Sequence, residues 1–236
     1  AAITNYSDLT LADGKNVTMS LAQHDGFGTL TATGANILTL SDAGTVAAKT
    51  NIETYVLADG GGTTITIGTD GQNVTTGNGA DTIDVGARTA DGIFTTSATS
   101  TIKLSDGADI TGVDAAGVGA GTTIAANNLT LVDGASVTMT AAQNNSFTGI
   151  TATGADTIAI SDAAAVSGLA GIETYALAAG AQTFTLGAAD QNVTADDTGA
   201  NGLITIDTGT QTSVSGTFDD NGGNDTIKLN VEGVSV

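Results

Sequence analysis

The chain contains one stretch twice. Residues 9–58 read LTLADGKNVTMSLAQHDGFGTLTATGANILTLSDAGTVAAKTNIETYVLA, and residues 129–178 read LTLVDGASVTMTAAQNNSFTGITATGADTIAISDAAAVSGLAGIETYALA. At a constant offset of 120 residues, 26 of these 50 positions are identical. Rare residue types land on each other, Met19 on Met139, Phe27 on Phe147 and Tyr55 on Tyr175, so shared composition is not the cause. A one-residue deletion near Gly60–Gly62 shifts the offset to 119 at Gln72 and Gln191, and the tetrapeptide TIKL recurs at 101–104 and 226–229. The copies occupy residues 9–120 and 121–236, about 115 residues each, and residues 1–8 precede them as a lead or a donated strand.

Within each copy the local pattern is that of short strands. Leu9–Leu11, Val17–Met19 and Ile37–Leu40 alternate apolar and polar residues and are broken by Asp-Gly or Gly-Ala turns. Residues 53–85 set candidate strands near Tyr55, Ile65, Val74 and Ile83, about ten residues apart. The segments SLAQHDGF and TAAQNNSF each read as one helical turn. Aromatics make up 3% of the chain and Trp, Pro and Cys are absent, so the core must come from small aliphatics, which suits thin β layers. The expected fold class is all-β, a β-solenoid or parallel β-helix built from two homologous copies. Two tandem antiparallel β-sandwich domains are the alternative.

Net charge is -20, and the acids are 22 Asp against 3 Glu. Asp is a turn and metal-loop residue, whereas Glu is a helix former. This charge repels phosphates, which argues against nucleic acid and anionic membranes as partners and makes divalent cations the natural complement. No apolar run approaches the roughly 18 residues of a transmembrane helix. Without Cys there are no disulfides or zinc–thiolate sites.

A smaller pattern, Gly-x-[Asp/Asn]-x-[Leu/Ile], recurs at Gly34–Leu38, Gly79–Ile83, Gly154–Ile158, Gly199–Leu203 and Gly223–Ile227. It is the centre of the nonapeptide GGxGxDxUx of calcium-binding parallel β-helices. Thr76–Asp84, TGNGADTID, is the best match and lacks only the first Gly. On these residues, and on phrases such as GIETYALA and GGNDTIKL, the chain resembles the RTX family of secreted calcium-binding proteins, and more broadly bacterial surface-layer and filament proteins with degenerate RTX-like repeats. The resemblance implies secretion to the cell surface, Ca2+ dependence, and self-assembly or adhesion. Family sites use consecutive nonapeptides. Here the motifs are isolated, and Asn36 and Asn201 replace Asp at two of them, which favours a few separate sites over a ladder of ions.

The candidate ligands are carboxylates in turns, because hard cations take oxygen donors. Asp81 and Asp84 come first, then Asp219, Asp220 and Asp225, with Asp196 and Asp197 as another acidic turn. Asp106 and Asp109 are weaker choices, and Asp13/Asp133 and Asp42/Asp162 are read as turn-shaping. No enzyme is expected. His24 is the only histidine, Asn144 stands at its place in the second copy, and it is read as a surface residue. Glu53 and Glu173, in matching IETY segments, are read as structural.

The expected function is that of an extracellular structural subunit. With calcium it assembles with copies of itself into a filament or surface layer, with cell-surface polysaccharide as a second partner. The terminal segments, Ala1–Asp8 and Asn230–Val236, are candidates for joining subunits. Two alternatives stand beside it: the stalk of a calcium-dependent adhesin, and an ice- or glycan-binding module presenting Thr64, Thr66, Thr75 and Thr82 as a flat array.

Overall fold

The computed structural model describes residues 7–114, 121, 124–126, 128–195, 203–219 and 225–230. Within them every strand pairing is parallel, and from Ile37 onward the strands largely alternate between two sheets. The chain therefore coils as a β-solenoid of about 10 turns. This parallel register rules out the antiparallel sandwich alternative.

In the first copy one sheet stacks Asn16–Met19, Ile37–Leu40, Thr54–Val56, Asn73–Thr75 and Phe94–Thr95. The other stacks Thr45–Ala47, Thr64–Thr66, Thr82–Gly86 and Thr101–Leu104, and continues into Asn128–Leu131 and Gly149–Thr151. The second copy continues with Ser136–Met139, Thr157–Ile160, Thr174–Leu177, Asn192–Ala195 and Phe218–Asp219 in one sheet. Val166–Ser167, Gln182–Thr185, Ile204–Asp207 and Thr226–Lys228 form the other. At the N-terminal end Asp8–Leu11 pairs with Thr29–Ala32. Hydrogen bonding runs through the copy boundary, because Thr101–Leu104 pairs directly with Asn128–Leu131.

Two-residue alternation puts one face of every strand inward. Register then stacks like on like: Val46, Ile65, Ile83, Ile102, Leu129 and Ile150 are successive partners. Val137, Ile158, Tyr175 and Val193 form a second file. β-branched and aromatic side chains fill such pleated, half-buried surfaces well. Each buried Ile, Val or Leu contributes about 1.5–3 kcal/mol relative to exposure. The buried apolar residues form one continuous cluster from Leu11 to Val214.

The two expected helical turns are Leu21–Gly26 and Ala141–Ser146. Each begins with a reciprocal capping box, Ser20 with Gln23 and Thr140 with Gln143. The adjacent turn adds a further cap: Leu21 N–H donates to Asp42 Oδ1 and Ala141 N–H to Asp162 Oδ1, both at 2.7 Å.

Buried polar side chains tie adjacent turns together in both copies. Gln72 Oε1 accepts the Gly68 N–H at 2.7 Å, and its Nε2 donates to the carbonyls of Lys49 and Ile52 at 2.9 and 2.7 Å. Gln191 repeats this with Gly187, Leu169 and Ile172. His24 corrects the expectation of a surface residue: it is fully buried. Its Nε2 lies 3.1 Å from the Tyr55 hydroxyl and its Nδ1 lies 3.0 Å from Asp25 Oδ1. It is inside because an inward-facing tyrosine, 31 residues later, needs a polar partner in the core.

Candidate functional site

The recurrent Gly-x-Asp motif forms a corner at which one turn locks onto the preceding one. Asp81 is fully buried, its Oδ1 accepting the Thr63 N–H at 2.7 Å and its Oδ2 the Gly77 N–H at 2.9 Å. Asn36, Asp156 and Asp225 do the same with Lys15, Ala135 and Ile204, at 3.0, 2.8 and 2.7 Å. An amide oxygen accepts as well as a carboxylate does, which is why Asn36 can stand in the motif. Glu53 and Glu173 extend the pattern by accepting the backbone N–H of Asn36 and Asp156 at 3.0 and 2.9 Å. The motif glycine serves contact. A Cβ on Gly79 would sit 2.0 Å from the Gly61 carbonyl oxygen of the turn before.

The other sequence candidates are distributed along the coil. Asp84 Oδ2 pairs with Lys103 Nζ at 2.8 Å and its Oδ1 accepts the Gly86 N–H at 3.0 Å, so Asp81 and Asp84 serve different turns. Asp219 is exposed beside the last turns. Asp106 Oδ1 accepts the Ser136 N–H at 3.0 Å, and Asp109 Oδ1 accepts from Thr111. Asp196, Asp197 and Asp220 lie outside the described residues, as do 1–6 and 231–236 of the proposed joining segments. Among the described residues no three His, Asp or Glu side chains gather as a metal-binding group. Both oxygens of the buried Asp81 are already engaged by backbone N–H groups, which disfavours a cation there. The exposed turn carboxylates Asp13, Asp91 and Asp190 carry no such constraint, whereas Asp59 accepts from Asn78 and Asp70 faces Arg88.

Electrostatics single out two carboxyls. Burial pushes Asp156 above the ordinary carboxylate value, the Ala135 N–H opposes this, and the charges of Glu173 and Asp133 add to it. Its Oδ2 is buried outside hydrogen-bonding geometry. Asp207 is held below the ordinary value by the Gly209 N–H and by Lys228, whose Nζ is 2.9 Å away. Burial also pushes the Tyr55 hydroxyl up to about 12, although the Lys49 N–H partly opposes it.

The proposed threonine array is split. Thr64 and Thr82 are register partners, but Thr66 pairs with Asp84, and Thr75 belongs to the other sheet.

The exposed apolar residues Ile227 and Leu229 near the C-terminal end lie just before the proposed joining segment Asn230–Val236 and were not among the sequence candidates. The exposed large aliphatics include Leu203 (58%), Ile227 (47%) and Leu229 (50%), all at the C-terminal end. A cavity of about 260 Å³ opens beside them between the last strands, lined by Val193, Ile206, Phe218 and Ile227 among others. The available signal was the second TIKL. Comparison with protein-family models, curated proteins and solved structures gives no match. No helix among the described residues is long and apolar enough to cross a membrane.

Proposed function

We propose that the chain is an extracellular structural subunit that assembles with copies of itself into a filament or surface layer, with calcium as counter-charge. One observation carries this reading: a chain of net charge -20 leaves Ile227 and Leu229, in and just after its last described strand, about half exposed. Apolar exposure on so acidic a surface favours a macromolecular contact there. Open ends of parallel sheets also present unpaired N–H and C=O groups, a template for another strand. Calcium enters through charge and through the likeness of TGNGADTID to an RTX repeat. Its sites in this proposal are exposed turns of weak affinity, with Kd of about 10⁻⁴–10⁻³ M as in extracellular modules.

Electron microscopy of the purified chain in chelator and in millimolar calcium tests the proposal. Ordered fibres or sheets with calcium support it. Order in both conditions retains assembly and removes calcium as its trigger. Single chains in both conditions overturn it.

A further inference from the structure

The boundary between the two copies is itself an interface. There Thr101–Leu104 pairs with Asn128–Leu131 in the register Thr101 with Asn128, Ile102 with Leu129, Lys103 with Thr130 and Leu104 with Leu131. Both strands have a twin at an end of the described coil. Residues 226–229 repeat TIKL, and Asp8–Leu11, DLTL, differs from Asn128–Leu131, NLTL, only in its first residue.

The twins also hold the same places in their own copies. Thr82, Ile83 and Asp84 pair with Thr101, Ile102 and Lys103, while Thr205, Ile206 and Asp207 pair with Thr226, Ile227 and Lys228. The Lys103–Asp84 ion pair at 2.8 Å recurs as Lys228–Asp207 at 2.9 Å. On the other side, Leu129 pairs with Ile150 and Leu9 with Leu30. The chain thus carries at its two ends both halves of a junction that it makes once in its middle. Burial is what differs: Ile102 and Leu104 are 0% exposed, Ile227 is 47% and Leu229 is 50%.

We propose that a second copy of this chain completes the C-terminal end. Its Asp8–Leu11 adds as the next parallel rung, with Thr226 opposite Asp8, Ile227 opposite Leu9, Lys228 opposite Thr10 and Leu229 opposite Leu11. This rests on the self-assembly reading and gives it a direction. The contact is head-to-tail and uses two different surfaces, so it propagates as an open filament. One rung differs chemically from the internal template. Asn128 donates through Nδ2 to the Ser100 carbonyl at 3.3 Å, whereas Asp8 brings a carboxylate to the rung beside Asp225. Two acidic chains meeting there need cations to screen them.

The absence of cysteine makes disulfide trapping specific. Asp8→Cys chains and Thr226→Cys chains are mixed under mild oxidation. In-register partners on neighbouring strands lie about 4.8 Å apart, within disulfide range, whereas Thr10→Cys opposite Thr226→Cys lies about 8 Å away, beyond it. Each chain carries a single cysteine, so the bond forms only between chains. The expected result is a species of twice the 22.9 kDa chain mass from the in-register mixture. The offset mixture yields at least about tenfold less, given its separation. Adding Ile227→Asp to the Thr226→Cys chain abolishes the product. Because Ile227 is half exposed, thermal unfolding of that variant stays close to the parent. Assemblies seen by microscopy without the register preference, or unchanged by Ile227→Asp, overturn this junction and leave self-assembly standing. Single chains under every calcium condition, with no cross-link, overturn both.

Discussion

The hydroxyl of Tyr175 donates to Oδ1 of Asn144 at 3.2 Å while accepting the Leu169 N–H at 2.8 Å. In the first copy the Tyr55 hydroxyl accepts the Lys49 N–H at 2.8 Å and lies against Nε2 of His24. Nδ1 faces the carboxylate of Asp25, which can only accept, so in the neutral ring the assigned tautomer is Nδ1–H and Nε2 accepts from the tyrosine. His24→Asn should then cost less than about 1 kcal/mol, because the second copy shows the replacement in place. His24→Ala leaves the buried Tyr55 O–H without an acceptor, though its oxygen keeps the Lys49 N–H, and should cost about 1–3 kcal/mol. Denaturant unfolding of the two variants gives the comparison.

Asp156 should make stability fall as pH rises. A carboxyl whose folded pKa is raised binds more protons folded than unfolded, so the cost is absent below the unfolded value. It grows as pH climbs from there through the folded one. Asn36, at the matching place, has an amide that donates to the Thr33 carbonyl at 2.9 Å. Asp156→Asn is expected to be stabilising at pH 7 and neutral or slightly destabilising near pH 3, read by urea unfolding at both. A stabilisation of equal size at the two pH values would exclude titration of Asp156 as its source.

Asp207 has the opposite sign. Its lowered pKa contributes stability that is present above the ordinary carboxylate value and is lost as pH falls through the folded one. Lys228→Met should accelerate amide exchange in Thr226–Lys228 at neutral pH and have little effect once Asp207 is protonated. The ion pair is half exposed, so its worth is about 0–1 kcal/mol.

Gln72→Leu keeps the volume and removes the clamp. It strands the Gly68 N–H and the Ile52 carbonyl in the interior, while the Lys49 carbonyl keeps the Ile52 N–H, and the expected cost is about 2–4 kcal/mol at about 1–3 kcal/mol per unsatisfied group. A midpoint shift in urea with unchanged slope would confirm a loss of stability rather than of compactness.

Gly79→Ala and Gly14→Ala separate contact from conformation. Gly79 has no room, with Gly61 O 2.0 Å from the new Cβ, while Gly14 sits at φ +64° in open space. The first should cost about 2 kcal/mol or more through overpacking, the second about 1 kcal/mol through backbone strain. Equal effects on thermal unfolding would contradict the close stacking of Gly79.

The strands, the helical turns and the solenoid were legible because they rest on local signals: two-residue alternation, Ser20/Thr140 with Gln three residues on, and a Gly-x-Asp/Asn corner that recurs five times. The work done by the carboxylates was not. Asp81 caps a backbone group 18 residues back and Asp156 one 21 residues back, so their partners become visible only once the length of each turn is known. His24 was misjudged for the same reason, since its partner Tyr55 is a full turn or more away. Ile227 and Leu229 alternate like any strand residues, and nothing local marks them as lacking a next rung among the described residues.

Strands that lie across the axis of the coil set their backbone hydrogen bonds along it. A pull between the two ends therefore loads those bonds in series, one rung after another, instead of shearing many at once. Each turn touches chiefly its two neighbours, so force would peel the molecule from an end and release it in steps of about a turn. Such an element yields gradually under load and can rewind when the load is removed.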